Sequence, residues 1–135
     1  MKLSPENKKI LLKEYDFAIR KMKECQRPDE KLFYFSRTYD VVSTVFNIKF
    51  EPQLAFLHFV LLNAFKSIMG RITSGDPVIK LPEGYFDKLI SLTEDLCDKL
   101  KRDEEIYQIL GKFVLLAFLT TGNGYYLNQR DEIKI

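Results

Sequence analysis

Residues Phe50–Ile72 read FEPQLAFLHFVLLNAFKSIMGRI, and the division of this run between faces decides the fold. Pro52 stands where a helix is best started, because the amide hydrogen it lacks would be unpaired there and its φ is already helical. From Leu54 to Leu62 only His58 is not plainly apolar, so no solvent face can be drawn. A helix apolar all round is expected to be covered on more than one side. At ~1.5–3 kcal/mol per large side chain buried, this half represents on the order of 10–20 kcal/mol of gross burial. After Leu62 the run turns amphipathic: Asn63, Lys66, Ser67, Gly70 and Thr73 recur at spacings of three and four, opposite Phe65, Ile68, Met69 and Ile72. A membrane span needs ~20 consecutive apolar residues. His58, Asn63 and Lys66 interrupt this one, so the expectation is a central core helix, or one of which part is a subunit contact, and no membrane partner.

The flanking segments supply helices to pack on it. Ser4-Pro5-Glu6 is a helix start, with Ser as N-cap, Pro in the first turn and an acid at the positive helix end. Leu11, Tyr15, Ala18, Met22 and Cys25 then form one apolar stripe, opposite Lys9, Lys13, Asp16, Arg20 and Lys23, over residues 5–26. Arg27-Pro28-Asp29 breaks the chain, and a second helix is expected over residues 29–47, with Phe35, Tyr39, Val42 and Phe46 inward. The cluster Leu32-Phe33-Tyr34-Phe35 cannot place all its rings on one face, so part of it meets another helix, another chain or stacked bases. Gly75 and Asp76-Pro77 end the central helix. Pro82 opens a helix whose inner stripe is Phe86, Leu89, Thr93, Leu96 and Leu100 and whose outer side is acidic. Asp103-Glu104-Glu105 is the expected start of a fifth helix, apolar all round from Phe113 to Leu119 and so the natural partner of the helix at Pro52. Gly122-Asn123-Gly124 stops it, and residues 120–135 read as a tail with Tyr125, Tyr126 and Leu127 as a last anchor. No strand alternation appears. The expectation is one all-α domain over residues 1–135, a compact bundle of about five helices around a central apolar helix.

Composition sets the function classes. With 46% hydrophobic and 30% charged residues the chain is neither disordered nor a membrane bundle. The start MKLSPENKK is not an apolar leader, so the expected location is cytoplasmic. Cys25 and Cys97 lie far apart with no Cys or His near either, which excludes the usual zinc spacings and reads as free thiols. Residues 1–80 hold 14 Lys and Arg against 9 Asp and Glu, and residues 81–135 hold 7 against 10. Such asymmetry suits a polyanion on one surface and a protein on another, or two ordinary solvated faces. His58 stands alone and reads as a packed, hydrogen-bonded residue. No Ser, Cys or Lys has a recognisable base beside it, the acids after Asp87 form no E-x-x-H pattern, and the Gly122 segment lacks the Lys of a phosphate loop. The expectation is a chain without catalytic residues, metal or cofactor.

Three segments carry a resemblance: Ser36-Arg37-Thr38-Tyr39-Asp40-Val41-Val42, then Pro52-Gln53-Leu54-Ala55-Phe56, then Leu116-Ala117-Phe118-Leu119-Thr120. In order and spacing they resemble the small helical subunit of type III-A CRISPR RNA-guided effector complexes, the Csm complex. The resemblance implies a non-catalytic subunit that holds guide and target RNA through backbone contacts and stacks with neighbouring effector subunits or copies of itself. Arg37 matches the family's basic residue beside an aromatic. Gln53, Val60 and Leu119-Thr120 stand where the family has Lys, Arg and His-Lys, which fits a surface given more to protein contacts. Arg37 together with Lys31, Lys49, Lys66 and Arg71 makes the middle of the chain basic, and these five are the candidate phosphate contacts. The other reading the residues allow is a homodimeric interaction module without nucleic acid, using the surplus apolar surface of the second and third helices.

Overall fold

The computed structural model describes residues 2–74 and 81–120, and over them the chain is all-α. Its six helices are α1 (Pro5–Glu24), α2 (Pro28–Phe35), α3 (Arg37–Phe46), α4 (Gln53–Ser74), α5 (Tyr85–Lys101) and α6 (Tyr107–Phe118). They close into a ring: α1 packs on α2, α3 and α5, α4 packs on α2, α3 and α6, and α5 meets α6.

Each helix buries the stripe its period requires. In α1 the stripe is Leu11, Tyr15, Ala18 and Met22, all fully buried. Ser4 caps it, its Oγ accepting from the Asn7 amide at 3.4 Å. In α5, Leu89, Thr93, Leu96 and Leu100 are buried, while the aromatic at the centre is Tyr85, whose hydroxyl donates to the Leu116 carbonyl at 2.6 Å; Phe86 is half-buried. The α4 stripe is Leu54, Leu57, Leu61, Ala64 and Ile68, and α6 answers with Ile109, Leu110, Phe113 and Leu116.

Three boundaries differ from the sequence reading. The helix expected over residues 29–47 comes as two, divided at Ser36. There the Ser36 hydroxyl donates to the Phe33 carbonyl at 2.5 Å and the Thr38 hydroxyl to the Phe35 carbonyl at 2.7 Å. Side chains that bond back onto the preceding turn compete with the helical ladder and bend it. The bend turns Phe35 to the Phe113 ring, 6.1 Å away, while Tyr39 faces Phe65 at 5.7 Å.

Asp103 does not start the last helix; it ends α5. It has a left-handed φ of 57°, the Glu104 amide returns to the Lys99 carbonyl at 2.9 Å, and the Asp103 amide reaches the Leu100 carbonyl at 3.4 Å. These are the two bonds of a Schellman C-cap, in a position that Asp tolerates better than most residues. Lys8 reinforces it, donating to the Lys101 carbonyl at 2.8 Å and to Asp103 Oδ1 at 3.1 Å. The acid that serves the α6 start is Glu105, whose carboxylate accepts from the Tyr107 amide. Likewise α5 begins at Tyr85 with Gly84 as N-cap at φ 82°, three residues after Pro82. The Gly75 turn and the tail beyond Thr120 lie outside the described residues.

Glu51 joins the start of α1 to the α3–α4 connection. It is buried, and its carboxylate accepts from the Ser4 amide at 3.1 and 3.3 Å and from Asn7 Nδ2 at 2.7 Å; Asn7 Nδ2 also reaches the Lys49 carbonyl at 2.9 Å. A negative charge here also complements the positive end of α1. Glu51→Ala leaves the part-buried Ser4 amide without its acceptor and the buried Asn7 Nδ2 with the Lys49 carbonyl alone, so a loss of ~1–3 kcal/mol in urea unfolding is expected, with a smaller loss for Glu51→Gln. An unchanged midpoint for the alanine variant counts against this role.

Candidate interaction surface

The first half of α4 is not covered all round, contrary to the expectation from its composition. Only 28% of its most apolar window is buried. The helices α2, α3 and α6 cover its Leu54–Leu57–Leu61 side, and among the described residues no helix covers the opposite side. As a result Phe56 is 60% exposed, Phe59 66%, and on the adjoining edge of α6 Tyr107 is 65% and Val114 41% exposed.

These side chains form one face because α4 and α6 run parallel. Gln53 and Phe56 line a depression of about 440 Å³ with Ile106, Tyr107 and Leu110. Further along, Phe59, Asn63, Ser67, Val114 and Phe118 line a second one of about 300 Å³. At the far end Arg71 Nε donates to the Thr120 carbonyl at 2.9 Å. Among the exposed residues, Phe56, Phe59, Asn63, Lys66 and Gly70 of α4 and Tyr107, Gly111, Val114 and Phe118 of α6 each recur at steps of three and four. Steps of three and four are the spacing of a seam against another helix. The α4 residues after Leu62 show this seam in the sequence. Phe56 and Phe59 do not, because an all-apolar run gives no sign of which side the chain's own helices will take.

The five candidate phosphate contacts do not gather on one face. Arg37 Nη1 pairs with Glu14 at 3.1 Å, its guanidinium lies 5.3 Å from the centre of the Phe17 ring, and it lines a groove with Asp40 and Phe33. Two carboxylates to one guanidinium make that groove acidic. Lys31 Nζ donates to the Met22 carbonyl at 2.8 Å, at the C-terminal end of α1, and Arg71 likewise serves the end of α6. Cations at helix C-termini answer the negative end of the dipole. Lys49, in the α3–α4 connection, and Lys66, on α4, are exposed. Lys66 and Arg71 are five residues apart, about 140° around an ideal helix, so they do not share a face. On α1, Lys9, Lys13 and Arg20 are also exposed.

The other residues with chemical potential are held in packing. His58 Nδ1 lies 2.9 Å from the Tyr39 carbonyl, an acceptor only, so Nδ1 carries the hydrogen and donates. The Tyr39 ring stands edge-on to it at 5.8 Å. This is the packed, hydrogen-bonded histidine expected from the sequence. Cys25 and Cys97 are free thiols. Cys97 is buried, donates to Asp16 Oδ1 at 3.7 Å, and burial pushes its pKa up to about 11, so it is a poor nucleophile near neutrality. Among the described residues no group of three or more His, Cys, Asp and Glu could hold a metal ion.

Compared with protein-family models, curated proteins and solved structures, the chain matches none of them.

Proposed function

We propose that the protein is a non-catalytic helical subunit that acts by contact, the small subunit of a type III-A CRISPR effector complex, touching guide and target RNA phosphates and packing against neighbouring subunits. The observation that carries the contact part is the exposed apolar face of α4 and α6. Large apolar patches on a soluble domain mark interaction surfaces. The order of the segments at Ser36–Val42, Pro52–Phe56 and Leu116–Thr120 supports the assignment to the CRISPR subunit. They fall on the start of α3, the start of α4 and the end of α6.

For RNA the support rests on Lys49 and Lys66, with the exposed cations of α1 as reserve. A backbone contact needs an exposed cation and little more. Filter binding of a single-stranded RNA and of a guide–target duplex across a salt series tests this. Lys49→Ala and Lys66→Ala are each expected to weaken binding to any sequence and to lower the salt slope by about 0.7 per lost contact on a single strand. Arg37→Ala and Arg71→Ala are expected to act chiefly through stability, since these groups bond to Glu14 and Thr120. No RNA retention even at low salt removes the nucleic-acid part. That outcome leaves the second reading, a homodimeric module without nucleic acid, which the internal bonds of Lys31, Arg37 and Arg71 favour.

A further inference from the structure

From the spacing and charges of the α4–α6 face we infer that it binds a second copy of this chain, the two α4 helices lying antiparallel about a two-fold axis near Val60. This deepens the subunit-contact part of the reading above; with Lys66 engaged in the seam, Lys49 and the exposed cations of α1 are what a dimer leaves to RNA.

Size is the first argument. A full aromatic ring side chain offers ~200 Å², so the exposed fractions of Phe56, Phe59 and Tyr107 amount to on the order of 400 Å² of apolar surface. That lies within the range of the largest patch on a typical monomer, ~300–600 Å². Two such faces together cover on the order of 800 Å² from these rings, the size of a weak, reversible contact and not of a permanent one.

Charge chooses the partner and its direction. Apart from Arg71, whose Nε bonds to Thr120, the only charged residue of α4 is Lys66, at the C-terminal end of the face. Lys112, the one charged residue of α6, lines a groove with Asp95 and Asp98 of α5, away from the face. The acid on the face is Glu105, at the opposite end beside Gln53. Lys66 is therefore ~20 Å along the helix from the level of Glu105 at 1.5 Å per residue. A parallel copy would put like ends together. An antiparallel copy centred near Val60 places each Lys66 against the Glu105 end of its mate, twice, and brings the Phe56–Phe59 rings together at the centre. A two-fold interface needs such a self-complementary patch. Gly111, between Tyr107 and Val114 on the exposed seam, has open space where a Cβ would stand, which lets a second helix approach closely.

The test is sedimentation equilibrium of the full-length chain without RNA, over about 1–100 µM, a range that brackets micromolar dissociation constants. The wild type is expected to show a monomer–dimer equilibrium. Phe59→Asp, at an exposed position that the monomer does not need, is expected to weaken it by about 30-fold or more, as for a central interface residue, with unchanged circular dichroism. Lys66→Glu and Glu105→Lys are each expected to weaken the dimer, and the double reversal to restore it. A monomer at every concentration, a dimer indifferent to Phe59→Asp, or a double reversal that restores nothing overturns the proposal. So does a wild-type chain that stays monomeric and floats with lipid vesicles. RNA binding measured on Phe59→Asp separates the two proposals: retention by a monomeric variant upholds the RNA reading whatever becomes of the dimer.

Discussion

Phe113→Ala is expected to remove about 3–5 kcal/mol of folding stability, whereas Phe59→Ala, on the neighbouring helix and equally aromatic, is expected to remove less than ~0.5 kcal/mol in the dilute monomer. Phe113 is fully buried, on the inner stripe of α6 and against Phe35, so its loss leaves a cavity at the junction of α2, α4 and α6. Phe59 gives up only surface already in water. Single domains have ~5–15 kcal/mol in all, so the first substitution leaves a marginal fold and the second an ordinary one. Urea unfolding at low micromolar concentration reads both. Equal losses would mean that α4 is covered on its outer side after all, and would remove the basis of the interaction surface.

Stability is expected to fall steeply in alkali, from about pH 9 upward. Four neutral acids are buried: Cys97, pushed up to about 11 by burial, Tyr39, pushed up to about 12 by burial and then by Asp40, and Tyr15 and Tyr85, both held above the ordinary phenol range by burial. Each has a folded pKa above its unfolded one, so the fold prefers the protonated form. Below the unfolded values both states hold these protons and the stability is complete. As the pH passes ~8.5 for a thiol and ~10 for a phenol, the unfolded chain loses protons that the folded chain keeps, and stability falls. The slope is on the order of 1.4 kcal/mol per pH unit for each proton of difference. Urea midpoints between pH 7 and pH 10.5 measure it. Tyr15→Phe supplies the control: the Tyr15 hydroxyl is buried with no hydrogen-bond partner among the described residues, so the variant should be no less stable at pH 7 and should show a shallower alkaline fall. A midpoint that stays level to pH 10.5 would show that these groups are hydrated.

Much of the fold was legible before any coordinates. The stripes Leu11–Tyr15–Ala18–Met22 and Leu89–Thr93–Leu96–Leu100 are read from period alone, because an amphipathic helix has only one way to turn. The misread boundaries are places where a residue type serves two ends. Asp103 has the chemistry of an N-cap, yet it takes the left-handed position that closes α5, where Lys8 from another helix donates to it. Ser36 and Thr38 are ordinary helix residues until their hydroxyls return to the Phe33 and Phe35 carbonyls. The cations divide in the same way. Nothing local distinguishes Lys31, which ends on a helix carbonyl, from Lys66, which ends in water.

By itself the sequence determined that this chain is helical, where α1 and α4 start, and that α4 and α6 are too apolar to stand alone, since period and hydrophobicity are properties of a segment. Only the tertiary structure decided which side of α4 its own helices take. Burial is shared out among neighbours, and α2, α3 and α6 leave Phe56 and Phe59 facing outward. An all-apolar run is silent on that choice because every face of it gains equally from being covered.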